Sequence, residues 1–455
     1  MQNHEHFLNL RNKYPEFIYE DYKIEESDTE YVIEFIFTIP NLTTFKPTIK
    51  IPKKGLNNTD INKEYLNELV FHIGLIELVS YFKCTCSPNV IIKCGYLDSE
   101  QIKWFKKLYY YGLGEFLYVN GIDVTEEDLM HITITKEKKE LPNINYNGLG
   151  NLIPIGGGKD SVVTLELLNH QKEINTPFII NPKEVTLKCC EVGGYSEDKI
   201  ITVNRTIDKN LIELNKEGFL NGHTPFSSLV AFVTYLCAYL SGKRYILLSN
   251  EASANEPTVP GTNINHQYSK TYEFERDFNN YTKKYFNIEI DYFSFLRPLQ
   301  EIQIAKLFAG MPKYHSVIRS CNVGSKEKPW IWCCNCPKCL FVYIILSPFL
   351  TKLELINMFG EDLYMKESLL NIFLELLGYS KTKPFECIGT NAEVRLAVSL
   401  AINKYEGVLP YLLQYYKDNY PLELDDSVIT SFNTENNLPN SFAKIIMEEI
   451  SKYEK

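Results

Sequence analysis

From Asn151 to Asn250 the chain alternates short β-branched runs with stretches of helical periodicity. NLIPI is followed by SVVTLELLNH, PFIIN by KEVTLKCCEV, KIITVN by LIELNKEG, and the apolar SSLVAFVTYLCAYL leads into RYILLSN. A parallel strand pair needs a long crossover between its members, and an amphipathic helix is the usual one, so this rhythm predicts an α/β parallel sheet covered by helices on both faces. Open sheets of this kind place ligands beyond the carboxyl ends of their strands. The residues after NLIPI and after RYILLSN are therefore where a site is expected.

The flanks read differently. Residues 14–52 alternate apolar and polar positions, as in TEYVIEFIFTIP and TIKIP, and predict antiparallel strands. A helix-period segment (EYLNELVFHIGLIELVSYF), a short strand (NVIIKCG) and a helix (SEQIKWFKKLYYYG) complete an α+β unit. The polar stretch 136–150 lacks periodicity and reads as a linker, and beyond Cys339 the pattern is helical, with segments near 362–378, 391–403 and 440–453. For 455 residues this predicts an N-terminal α+β domain over 1–145, the sheet domain over 146–350 and a helical C-terminal region over 351–455. Apolar residues make up 45% of the chain and the net charge is −10, which excludes a disordered chain. Lys and Arg (47) are outnumbered by Asp and Glu (57) and form no long run, so neither nucleic acid nor an anionic membrane is an expected partner. The apolar stretches at 229–240 and 340–350 are shorter than the ~20 residues of a membrane span. The start, MQNHEHFLNLRNKYPEF, lacks the pattern of a secretory signal, and the expected location is the cytoplasm. Nothing in the sequence reads out an oligomeric state.

After NLIPI come Gly156, Gly157, Gly158, Lys159, Asp160 and Ser161. A Walker A loop would need Gly-Lys-Ser/Thr preceded by another glycine five positions earlier, but Asp160 follows Lys159 and Ile153 holds the upstream position. A dinucleotide fingerprint would end on glycine where Ser161 stands. The segment instead resembles the pyrophosphate loop of the ATP pyrophosphatase (PP-loop) family, Ser-Gly-Gly-x-Asp-Ser, with Gly156 in place of the first Ser. Physically, glycines let backbone N–H groups crowd round phosphate oxygens at a helix N-terminus, where the macrodipole favours an anion. Lys159 would add charge, Asp160 would reach Mg²⁺ or the loop backbone, and Ser161 would add a hydroxyl. The competing reading is an ordinary glycine-rich turn capped by Asp160 or Ser161.

Glu251 and Glu256 follow the strand RYILLSN on the expected ligand side, and a loop rich in Asn leads to His266, Gln267, Ser269 and Lys270. Such residues suit Mg²⁺, ribose or a polar substrate, or simply a solvated loop beginning a helix near His266. His223 precedes Thr224, an expected N-cap, and Pro225; it is a candidate acid/base or phosphate contact, or a structural histidine. Cys321, Cys333, Cys336 and Cys339 offer the four thiolates a tetrahedral zinc prefers, with Cys334 as the spare thiol or the alternative to Cys333. The arrangement resembles the zinc site of the preQ0 synthase branch of the same superfamily. Zinc so held would be structural, because four thiolates leave no position for water. The alternative is a reduced, metal-free loop packing Trp330 and Trp332.

Taken in order, GLGEFLYVNGID, GGGKDSVVTLELL, NGHTPFSS, SNEASANEP, NHQYSKTYEFE, WCCNCPKCLFVY and KPFECIG resemble the MurL family of glutamyl epimerases along most of the chain. The resemblance implies ATP- and Mg²⁺-dependent inversion of the terminal L-glutamyl residue of the peptidoglycan precursor UDP-MurNAc-L-Ala-L-Glu, with release of AMP and pyrophosphate. The chemistry accounts for ATP: the glutamyl nitrogen is an amide, which pyridoxal phosphate cannot engage, and the negative α-carboxylate opposes removal of the α-proton. An acyl-adenylate removes that charge. By chemistry alone His223, Glu251, His266 and Cys387 are candidates for proton transfer, although a buried structural thiol is the commoner reading of a cysteine such as Cys387. Two other readings stand beside this one, a preQ0-synthase-like ligase that adds ammonia to an activated carboxylate and a nucleotide-binding module without catalysis.

Overall fold

The N-terminal alternation folds as antiparallel strands built on the long hairpin β1 (Glu16–Glu26) and β2 (Glu30–Ile39), with β3 (Thr43–Phe45) and β4 (Thr48–Pro52) also pairing with β2. In this computed structural model, which describes residues 2–380 and 382–452, every second residue of β2 is buried, as a strand with one face on a core requires. β5 (Asn89–Ile92) and β6 (His131–Ile134) extend the sheet in parallel beyond β1. Residues 135–150 then carry no helix or strand, as their composition predicts.

The alternating region supplies β7 (Asn151–Pro154), β8 (Asn175–Ile180), β9 (Ile201–Thr206) and β10 (Tyr245–Leu248); β11 (Asp291–Ser294) is a fifth strand that the sequence rhythm does not single out. All five pair in parallel, in the order β11-β10-β7-β8-β9. β4 pairs antiparallel with β9, so one eleven-stranded sheet runs across the boundary drawn near residue 145. The N-terminal helix Lys63–Phe82, buried along most of its length, packs on Phe226–Ser241 of the parallel half, and the two helices share one core.

From β7 the chain steps outward through β8 and β9, then returns to add β10 on the other side of β7. At such a reversal of strand order a crevice opens at the carboxyl ends of the two strands. Thr164 and Ser249 hydroxyls meet at 2.8 Å across it. The helix after the second expected site begins at Tyr272 rather than near His266, and Phe226–Ser241 is capped by Pro225 with no side-chain bond from Thr224. The C-terminal helices Lys352–Phe359, Leu370–Leu377, Asn391–Lys404, Tyr411–Asn419 and Asn440–Ser451 belong to a second core built round Pro337–Leu346. Among the described residues no helix is long and apolar enough to cross a membrane.

Candidate active site

The glycine loop lies at the crevice, between β7 and the helix Lys159–Leu167. A Cβ added at Gly156 would meet no atom within 4 Å, so the loop faces open space there. Gly157 has φ 85°, a conformation that L-residues rarely adopt, and a Cβ would stand 3.1 Å from Val185 Cγ1. Among the described residues nothing accepts from the N–H groups of Gly156, Gly157 and Gly158. Lys159 does not reach outward to add charge at the mouth. It is 3% exposed and turns inward to ion-pair with Asp160 and Glu301, because Glu301 is itself buried and needs a cation beside it. Burial nonetheless pushes the Glu301 carboxyl up to about 7 against the pull of Lys159. Burial opposes ionisation of Asp160, yet Lys159 and Lys338 hold it below the usual carboxylate range. Ser161 Oγ donates back to the Gly158 carbonyl at 3.1 Å.

Glu251 is buried just after β10, and burial together with the Asp160 charge raises its pKa. Beneath it lies Arg297, fully buried, which donates to the Glu251 carbonyl at 2.7 Å, to the Lys270 carbonyl at 2.5 Å and to Glu275 Oε2 at 3.2 Å. One guanidinium thus pins two loop segments to one point. Lys270 then reaches Cys387 Sγ at 3.0 Å. The Cys387 segment is held from both sides, by Lys383 paired with Glu256 at 2.6 Å and by Lys338, whose ammonium donates to the Cys387 carbonyl.

Next to this thiol stands a group drawn from three places in the chain. His266 Nδ1 bonds Glu115 Oε2, and the same carboxylate oxygen lies 3.6 Å from His223 Nδ1. The imidazole rings are 4.3 Å apart, and ligand atoms of Glu115, His223 and His266 all lie within 4.8 Å of one another. His266 also interacts electrostatically with the Cys387 side chain. Burial would lower the His266 pKa, but its interactions with Cys387 and Glu115 overcome this and lift it to about 9. Burial would raise the Cys387 thiol, but the Lys270 and His266 charges bring it down to about 5. His223, which makes no hydrogen bond with another described residue, is pushed down to about 4 by burial and by the neighbouring His266 charge. The arrangement is a thiolate and a charged imidazole beside a neutral imidazole. Groups whose pKa values are driven apart in this way are suited to acid and base roles at one pH.

The cysteines converge at a separate place. Sulfurs of Cys321, Cys333, Cys336 and Cys339 lie within 4.8 Å of one another, with Cys321–Cys336 and Cys333–Cys339 both at 3.8 Å. A tetrahedron of thiolates at the usual zinc–sulfur distance has edges of about 3.8 Å, so the four residues fit that ion. Cys334 turns away, with φ 57°, toward the Phe359 carbonyl at 3.2 Å.

A family model of the MurL N-terminal domain matches residues 9–295, and one of the MurL C-terminal domain matches 317–427. The chain belongs to the MurL family. It is similar to a protein of Xanthomonas oryzae pv. oryzae, with 32% identity over 365 residues, 79% of this chain and 80% of the relative. Relatives from a Micromonospora species (31% identity; 84% and 86% of the two chains) and Salinispora tropica (31%; 84% of each) match over similar spans. All three are named UDP-N-acetyl-alpha-D-muramoyl-L-alanyl-L-glutamate epimerase, and membership places this chain among the isomerases. Of the candidates read from sequence, His223, His266 and Cys387 come together in this MurL protein, while Glu251 stands on the glycine-loop side with Asp160. Glu115, Glu301 and Lys338 carried no signal of their own. Glu115 lies within GLGEFLYVNGID, but only the fold brings it to His266. Lys270 was visible merely as one polar residue of a loop.

Proposed function

We propose that the protein inverts the α-carbon of the terminal L-glutamyl residue of UDP-MurNAc-L-Ala-L-Glu, using ATP, through an activated carboxylate. The observation that supports this most directly is the Cys387–His266–Glu115–His223 chain beside the glycine loop. Bound ATP, with Mg²⁺, would supply an adenylyl group to the α-carboxylate and so remove the charge that opposes α-proton loss. The unengaged N–H groups of Gly156 to Gly158 and the open space at Gly156 fit a phosphate, and Asp160 is the nearby carboxylate for the cation. Glu256, paired with Lys383, would support the nucleotide side from the loop edge.

His223, unprotonated at neutral pH, takes the α-proton from one face. The Cys387–His266 pair holds one proton between sulfur and imidazole and delivers it from the other face through the sulfur. Glu115, which approaches both imidazoles, relays a proton from His223 to His266 after exchange with solvent and resets the pair. Lys270 holds the sulfur and ties it electrostatically to Glu251 and Asp160, so adenylation and proton transfer occur in one connected site. Water then releases AMP and leaves a D-glutamyl product. The Cys321, Cys333, Cys336, Cys339 knuckle would hold a structural zinc that fixes the helix carrying Lys338.

The test is turnover of the precursor with ATP and Mg²⁺ in deuterated water. The expected products are AMP, pyrophosphate and a D-glutamyl residue with one deuterium at its α-carbon. A product that has gained nitrogen would mark a ligase instead, and absence of turnover would overturn the reading.

A further inference from the structure

A cavity of about 600 Å³ opens beside the histidine cluster, between the helices Ser99–Gly112 and Gly114–Val119 and the segment 262–264. Its size lies in the range of small-molecule sites. Gly114 and Ile264 tie its lining to the cluster: a Cβ at Gly114 would stand 3.9 Å from Ile264 Cα, and the next residues along are Glu115 on one strand of chain and Asn265 and His266 on the other. Tyr110, Tyr111 and Tyr118 give it aromatic walls, and Asp123, Thr262 and Asn263 give it carboxylate, hydroxyl and amide groups. Tyr111 is braced by stacking on Tyr268 at 5.3 Å. Tyr118, 43% exposed, lies 5.7 Å from Phe385, two residues before Cys387. Neither lysine nor arginine lines the cavity.

A phosphate would find no cation there, whereas a neutral ring with apolar faces and a rim of hydroxyl and acetamido groups matches both the tyrosines and the polar groups. We infer that this cavity seats the amino-sugar ring of the substrate against Tyr118, with the diphosphate outside it. The inference rests on the epimerase reading and adds the part of the substrate that does not react. The chemistry sets the reach required: one alanyl residue and a lactyl arm, at ~3.3–3.6 Å per extended unit, put the ring about 7–10 Å from the glutamyl α-carbon.

The experiment compares UDP-MurNAc-L-Ala-L-Glu with N-acetyl-L-Ala-L-Glu, measuring α-deuterium incorporation in wild type, Tyr118→Ala and Tyr118→Phe. Wild type favours the full substrate. Tyr118→Ala is expected to raise KM for the full substrate about tenfold with kcat within threefold, so that the ratio of kcat/KM between the two substrates falls about tenfold. Tyr118→Phe, which keeps the ring, retains that ratio and shows that the loss is one of contact rather than folding. A ratio in Tyr118→Ala within twofold of wild type overturns the cavity assignment and leaves the epimerase reading intact. A wild-type protein that exchanges the α-proton of neither substrate overturns the epimerase reading instead.

Discussion

Glu115 Oε2 accepts from His266 Nδ1 while lying 3.6 Å from His223 Nδ1, so one carboxylate, more than 100 residues before either histidine in the chain, serves two imidazoles with opposite proton occupancy. Replacing it with Gln keeps the shape and removes the charge that favours the His266 cation. The Cys387 thiol should then become less acidic. In Glu115→Gln we expect the pH midpoint of Cys387 alkylation by iodoacetamide to rise by about one unit, so that the rate at pH 6 falls about twofold. Turnover should fall by about 10²-fold, the scale of a lost acid–base partner. An unchanged alkylation rate with normal thermal stability would show that Glu115 does not act on the pair.

The pair also sets a pH window. The Cys387 thiol is depressed to about 5, so its ionised form is lost as pH falls through that value, and the stabilisation it lends the fold goes with it. His266 is raised to about 9, so its stabilising proton is present below the ordinary histidine pKa and is lost as pH rises through about 9. A bell-shaped kcat/KM profile is expected, with limbs near pH 5 and pH 9 belonging to the coupled pair. Alkylation of Cys387 should titrate near pH 5 rather than at the ~8.5 of a free thiol.

Gly157 and Gly156 should respond in opposite ways. At Gly157, φ 85° and a neighbour at 3.1 Å make Gly157→Ala strained, with an expected loss of about 1–3 kcal/mol in denaturant unfolding and loss of pyrophosphate release. At Gly156 nothing stands within 4 Å, so Gly156→Ser, the residue of the general PP-loop pattern, should change stability by less than about 0.5 kcal/mol.

The cysteine knuckle makes a prediction that separates its members. Cys336→Ala and Cys339→Ala should lose one equivalent of zinc by metal analysis and unfold at lower temperature, because metal binding to a preformed thiolate set stabilises the fold. Cys334→Ala should keep the metal, since its sulfur faces the Phe359 carbonyl and lies outside the converging group.

Local signals in the chain carried the elements and several of the candidate site residues. The alternation after Asn151 dictated β7 to β10 and their helices because parallel strands need crossovers, and the glycines of 156–158 marked the turn at the first strand's exit, where Gly157 takes φ 85°. The spacing of Cys333, Cys336 and Cys339 was likewise local, and His223, His266 and Cys387 were visible as residue types. What the chain order does not contain is distance. The pairing of β4 with β9, the inward turn of Lys159 to Glu301 and the meeting of Glu115 with His266 join segments far apart in sequence, and each exists only once the elements have packed. Periodicity reports which face of an element is buried; only packing decides which charges end up side by side, and with them which imidazole keeps its proton and which sulfur gives one up.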